Sequence, residues 1–302
     1  MRNRSLIADL GLLYTSIIWG TTFFVVKDLV KYIDPVVLCA YRFLLAALFL
    51  YPLLLFKSKK IFANLKEGIT LGFLLWIIYV SQTIGLVFTS ASNAAFITGL
   101  FLVFIPLFLL LIFKKRPSLT QLFVIFISIS GLWMLTGGIS EINRGDLITI
   151  LTAIAYALHV LYADKFAKNE IDPYVLCFQQ FLFVSIFSFM TALIFNLPLS
   201  LNNAVLSHVT KIILFLTIFP TVSAFLIQLF AQKITHPIKV SLIFALEPVF
   251  GAIFAWTLGG EEFLFRQAIG GFLIFISLII LGLKLDIEKH LYKLGCFRQN
   301  QN

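Results

Sequence analysis

The chain has 302 residues, of which 60% are hydrophobic and 12% charged, with a formal net charge of +9 and a mean hydropathy of +1.01. A soluble domain carries about 25% charged residues, so a water-soluble globule is excluded for want of polar surface to cover it. The positive balance raises nucleic acid as a partner, but the Lys and Arg fall in short runs between apolar stretches. That is the pattern of orientation charges on a membrane protein, so no nucleic acid is expected.

A helix needs about 20 apolar residues to cross roughly 30 Å of hydrocarbon. Lipid offers backbone groups no partner, so the crossing segments must be helical. In chain order the apolar stretches predict ten spans, near 7–27, 36–56, 68–88, 94–113, 120–137, 147–165, 174–195, 211–232, 238–258 and 267–284. The fifth is the shortest. Breaks fall at Asp34-Pro35, Lys57 to Lys60, Ser92-Asn93, Lys114 to Pro117, Gly137-Gly138, Asp172-Pro173, His236-Pro237 and Gly259-Gly260. Met1 to Ser5 is short and basic, and no small-residue cleavage site follows the first apolar run. That run is expected to remain as a span.

Charge then orients the bundle. Lys27, Lys31, Arg144, Lys211 and Arg266 lie in one set of alternate loops, and Arg42 lies inside the second span. Every other Lys and Arg is in the N-terminus, the loops after even-numbered spans or the tail. This asymmetry predicts both termini in the cytoplasm of a bacterial-type inner membrane. Cys39, Cys177 and Cys296 have no motif spacing, so no disulfide framework or metal site is expected.

The halves of the chain resemble each other. Asp34, Pro35, Val37, Leu38, Cys39 and Phe43 match Asp172, Pro173, Val175, Leu176, Cys177 and Phe181 at one offset. Asp9-Leu10 also matches Asp146-Leu147, Gln82 matches Gln228, and Gln121 matches Gln267. Five spans per unit is an odd number, so the second unit would enter from the opposite side. The expectation is an all-α integral membrane protein of ten helices in two inverted five-helix repeats, residues 1–138 and 139–284, followed by a cytoplasmic tail, 285–302. Inverted repeats give secondary transporters two related gates around a midplane site.

Several motifs in both halves carry a family resemblance. They are Trp19-Gly20-Thr21-Thr22-Phe23 with Lys27, Arg42-Phe43 with Ala46, Ser92-Asn93-Ala94-Ala95-Phe96, the run at Pro106, Lys115-Arg116-Pro117, and Glu247-Pro248-Val249-Phe250 followed by Gly260-Glu261. In this order the chain resembles the drug/metabolite transporter superfamily, in its EamA-type branch, over roughly residues 8 to 284. The resemblance implies a central cavity lined largely by helices one, three, four, six, eight and nine. It also implies movement of small metabolites, amino acids or drugs, by export rather than import. Two positions depart from the pattern: Lys115 stands where an acidic residue is expected, and Tyr156-Ala157 stands where the first half has Trp19-Gly20.

Read from the residues, Glu247 is the tenth residue of a 21-residue span, next to Pro248. An acidic group at that depth costs roughly 2.5–3.5 kcal/mol on insertion scales and usually faces a cavity or a partner. The proline frees a helix carbonyl beside it. His159, near mid-span in the sixth segment, could share a proton with Glu247 or hydrogen-bond a neighbouring helix, so these two are the candidates for proton coupling. Trp19, Tyr79 and Tyr156 are polar-edged aromatics away from the interfacial belts, and Gln82, Gln228, Thr98 and Ser241 complete a candidate substrate cavity, each with interhelical bonding as its simpler role. Arg42 is expected to snorkel to the outer interface, and Lys27, Asp164, Glu261 and Glu262 to sit at span ends.

No phosphate loop, zinc-ligand pair or nucleotide fingerprint occurs, so no cofactor, metal or catalytic residue is expected. The competing class is a membrane-embedded lipid-modifying enzyme. His159 and Asp164 spell a His-x4-Asp pattern, but five residues turn a helix by about 140°, so the two would not face one substrate. The expected partners are a small-molecule substrate, membrane lipid and coupling protons, with the chain a monomer or homodimer.

Overall fold

The computed structural model describes residues 2–113, 119–136, 142–168, 171–200, 203–234, 240, 243–244 and 246–293. Its elements are α1 (Arg2–Leu29), α2 (Pro35–Phe56), α3 (Leu65–Phe88), α4 (Ala91–Gly99), α5 (Phe101–Phe113), α6 (Leu119–Thr136), α7 (Arg144–Lys168), α8 (Pro173–Ile194), α9 (Asn203–Thr217), a π-helical turn (Ile218–Ser223), α10 (Ala224–Ile234), α11 (Glu247–Thr257) and α12 (Phe265–Lys293). No strand occurs among the described residues.

Local chemistry explains where the helices start. The Asp34 carboxylate accepts the Val36 and Val37 N–H groups at 2.8 and 3.3 Å, and Pro35 opens α2. Asp172 does the same for α8, accepting the Tyr174 N–H at 2.9 Å, with Pro173 at the first position. An acidic N-cap satisfies the orphan donors of a helix start, and proline there loses no bond the helix would make. Ser90 caps α4, its hydroxyl accepting the Asn93 N–H at 3.1 Å.

Six described helices are long and apolar enough to cross a membrane: Leu6–Leu29, Pro35–Phe56, Leu65–Phe88, Arg144–Phe166, Pro173–Ile194 and Leu206–Lys233. Shorter apolar helices run over Ala91–Ile105, Leu122–Gly131 and Phe265–Ser277. The expected fourth span is broken, α4 ending at Gly99 where the Leu100 N–H turns back to the Ile97 and Thr98 carbonyls. Of the expected ninth span, only α11 is described as a continuous helix.

The eighth span is longer than expected and changes pitch at Pro220. Proline has no N–H, so the Leu216 carbonyl loses its helical partner. The Thr221 hydroxyl donates to that carbonyl at 2.7 Å, and the helix passes through one π turn before α10.

In packing, α3 lies against α7 and α8, α2 against α8 and α9, α1 against α10 and α11, α4 against α7 and α11, and α6 against α12. Glycine allows the closest of these approaches. A Cβ on Gly251 would lie 2.6 Å from the Ala95 Cβ, and one on Gly20 would lie 2.6 Å from the Phe250 Cβ. α1, α4 and α11 therefore meet nearly backbone to backbone, with Pro248 pressed onto Gly99. This contact sets the position of Glu247, the first residue of α11.

Candidate functional site

Five helices converge on a small internal cavity. Its wall is made by Trp19 and Thr22 from α1, Leu75, Ile78, Tyr79 and Gln82 from α3, Tyr156 and His159 from α7, Phe225 from α10, and Glu247 from α11. The cavity encloses about 30 Å³, room for one or two water molecules at roughly 10–15 Å³ each.

Glu247 is 5% exposed, and its Oε2 accepts a hydrogen bond from the Tyr156 hydroxyl at 3.3 Å. The carboxylate sits in the first turn of α11, where the unpaired N–H groups of a helix start favour negative charge. Tyr156 is held by stacking on Phe101, with ring centroids 4.2 Å apart. The Trp19 indole donates to the Pro220 carbonyl at 2.7 Å, and its ring packs against Phe225 and Phe244 at 5.2 and 5.1 Å. Trp19 thereby ties α1 to the π turn.

His159 is 1% exposed, with Nε2 3.2 Å from the Gln180 Oε1 and Nδ1 without a hydrogen-bond partner. It takes Gln180 rather than Glu247 as its partner, although both line one cavity. Gln82 donates to the Thr98 hydroxyl at 3.3 Å.

Trp19, Tyr79, Gln82, Tyr156, His159 and Glu247 thus share one wall, as the sequence suggests. Thr98 does not line it and reaches it only through Gln82. Gln228 is fully buried in α10 outside the cavity wall, and neither polar atom of its amide is hydrogen-bonded. Ser241 lies outside the described residues, as do Lys115, Cys296 and the Gly137-Gly138 break. Thr22, Leu75, Ile78 and Phe225 complete the wall, and nothing in the sequence separates the last three from lipid-facing residues.

One polar residue differs from expectation, and two at span ends make contacts the sequence does not reveal. Arg42 does not snorkel: it is 3% exposed, its Nε donates to the Thr221 hydroxyl at 2.8 Å, and its guanidinium carbon stands 4.7 Å over the Tyr79 ring. α8 and the π turn close over α2 there and block its way out. Lys27 donates to the Leu86 and Thr89 carbonyls at 2.7 and 2.8 Å, closing the C-terminus of α3 as a cation should. Glu261 reaches across to the start of α4, accepting from the Ala91 and Ser92 N–H groups and, at 2.7 Å, from the Ser92 hydroxyl. Lys27 and Glu261 border a second, open cavity of about 490 Å³.

Among the described residues no group of three or more His, Cys, Asp or Glu could hold a metal ion. Cys39 and Cys177 are buried free thiols.

The chain is similar to an uncharacterized transporter of Archaeoglobus fulgidus, 29% identical over 93% of this chain and 88% of that one. It is also similar to the uncharacterized transporter YyaM of Bacillus subtilis, 28% identical over 92% of this chain and 94% of that one. One solved crystal structure, 17% identical, shares the fold with a TM-score of 0.67, covering 91% of this chain and 96% of that chain. The model of the EamA-like transporter family matches residues 6–137 and again 143–283. The chain is a multi-pass membrane protein and belongs to the EamA-like transporter family.

Proposed function

We propose that the chain is a secondary carrier of small metabolites, amino acids or drugs, working in export by alternating access around the Glu247 cavity. The observation that carries this reading is a buried carboxylate in a polar-edged cavity walled by helices from both halves, α1 and α3 from one and α7, α10 and α11 from the other. Ligand pockets for small molecules usually hold about 300–1,000 Å³. The central cavity is far below that range, while the cavity beside Lys27 and Glu261 falls within it. Substrate-sized room at one end of a closed centre is what one stage of an alternating cycle requires.

Two inverted five-helix repeats supply the moving parts. The repeat relation pairs α1 with α7, α2 with α8, α3 with the helix running from α9 to α10, α4–α5 with α11, and α6 with α12. The packing respects this exchange: α3 against α7 answers α10 against α1, and α1 against α11 answers α7 against α4 and α5. The matched Asp-Pro starts of α2 and α8 support the same relation. Lys59 pairs with Asp172 at 2.6 Å, which supports placing the loops after the second and sixth spans on one side. On the charge asymmetry, that side is the cytoplasm.

In this scheme Glu247 is the proton carrier and His159 its neighbour in the cavity. The test is a proteoliposome screen: purified chain in vesicles loaded with a metabolite mixture, with release compared against protein-free vesicles. Selective release of some compounds, faster with a pH gradient, is expected. Vesicles with folded protein that release nothing beyond the protein-free control would contradict the reading.

A further inference from the structure

Arg42 is a buried charged side chain that the carrier scheme does not use. It is 3% exposed in the interior of α2. A buried charge is tolerated when it is paired and fully hydrogen-bonded, and Arg42 is neither. No ion pair joins Arg42 to a carboxylate among the described residues. Its Nε reaches Thr221, while its Nη2 is buried with no hydrogen-bond partner. The rings of Tyr79 and Phe43, 4.7 and 5.5 Å from the guanidinium carbon, offset part of the charge. They offer nothing to the Nη2 donors.

A structural role explains only part of this. Holding Thr221 and the Tyr79 side chain, to which the guanidinium also hydrogen-bonds, uses part of the fork, and a guanidinium brings five donors in a rigid planar arrangement. That fork matches the two oxygens of a carboxylate. Its position also counts. The Tyr79 ring covered by Arg42 is itself part of the cavity wall, so one aromatic ring separates the guanidinium from the cavity. Glu247 lines the same cavity wall as Tyr79. A cation without its anion thus stands behind one ring of the cavity, and a carboxylate held only by a tyrosine lines it.

We propose that Arg42 is an anion-recognition subsite of the carrier, receiving the carboxylate of a carboxylate-bearing substrate whose remainder lies in the cavity beside Glu247. Tyr79 is the partition, and its displacement joins the guanidinium to the cavity. This rests on the reading of the cavity as the substrate site. It narrows the substrate class to molecules with an oxyanion, and it accommodates a zwitterion whose cationic end faces Glu247.

The test compares benzoate with benzamide, which has nearly the same shape and no charge, by calorimetric titration of the purified full chain at constant ionic strength. The aromatic ring of either probe would pack on Trp19, Tyr156 and Phe225 only after Tyr79 is displaced and the cavity opens beyond its closed volume of about 30 Å³. Benzoate is expected to bind about ten-fold or more tightly than benzamide, as for a hydrogen bond to a charged group. Arg42→Gln should bring the ratio to about one, Arg42→Lys should leave an intermediate ratio, and Glu247→Gln should keep the preference. Equal binding of the two probes to the parent would overturn the proposal, as would a preference that survives in Arg42→Gln. If the Gln variant does not fold, the parent ratio and the Lys variant decide. A parent that transports in vesicles but binds both probes equally overturns the subsite and leaves the carrier reading standing. One that neither binds nor transports overturns both.

Discussion

The Tyr156 hydroxyl donates to Oε2 of Glu247 across 3.3 Å, joining α7 to the first turn of α11 inside the cavity. The tyrosine ring is fixed by its stack on Phe101, so the hydroxyl is aimed rather than free to search. Tyr156→Phe keeps the stack and leaves Glu247 without its protein donor. A hydrogen bond to a charged group contributes about 1.5–3 kcal/mol. The Phe variant should fold and insert like the parent, with substrate exchange slowed by about ten-fold or more, the rate equivalent of ~1.4 kcal/mol. Unchanged exchange rates in proteoliposomes would show that the contact does no work in transport.

Trp19→Phe separates packing from hydrogen bonding at the π turn. The aromatic contacts to Phe225 and Phe244 would largely remain, but the Pro220 carbonyl would lose the donor it has at 2.7 Å. Losing one intramolecular hydrogen bond costs about 0.5–1.5 kcal/mol. The variant should melt at a lower temperature in detergent, whereas Trp133→Phe, at an exposed position, should not.

The near-contact of α4 and α11 predicts a rescue. A Cβ on Gly251 would lie 2.6 Å from the Ala95 Cβ, so Gly251→Ala should destabilise the fold by about 1–3 kcal/mol through overpacking. Adding Ala95→Gly removes the opposing methyl and should recover part of the loss. A double variant no more stable than Gly251→Ala would mean that the Phe23 ring, 3.0 Å from the same point, sets the limit.

At the loop end of the bundle, Asp172 predicts an acid-sensitive link. Burial pushes its carboxyl up, but the Lys59 hydrogen bond, the Tyr174 N–H and the Lys59 charge together hold it below its ordinary value. A depressed folded value means the stabilisation is present above the unfolded value of about 3.9 and is lost as pH falls through the folded one. Asp172→Asn should therefore melt below the parent at pH 7. The gap should close as the pH drops below about 4, and it should narrow in high salt. A gap independent of pH would place the whole effect in helix capping.

Much of the site was legible because polar groups deep in a span are costly and must turn inward. That argument finds Trp19, Tyr79, Gln82, Tyr156, His159 and Glu247 without a structure. It gives depth but not direction. Arg42 was therefore expected at the interface, although the helices packed over it leave it no route there. Leu75, Ile78 and Phe225 could not be found this way, because an apolar cavity wall and a lipid-facing surface use the same residues. Thr98 carries a hydroxyl at a plausible depth, yet that hydroxyl is spent on Gln82. The break at Leu100 was hidden because Gly99 serves the close approach of Pro248 and sits in an otherwise continuous apolar run. The π turn went unread in the eighth span, although Pro220-Thr221, a proline followed by the hydroxyl that bonds the Leu216 carbonyl, is a signal for it.

Glu247→Gln tests the central claim most directly, because it keeps the shape of the side chain and removes its titration. Parent and variant are reconstituted at equal density, and two rates are read for a substrate found in the vesicle screen: uphill accumulation driven by a pH gradient, and exchange at equal pH. The account predicts that the variant loses pH-driven accumulation while keeping exchange. A well-folded variant that accumulates substrate against its gradient as fast as the parent would contradict it and leave Glu247 as part of the scaffold.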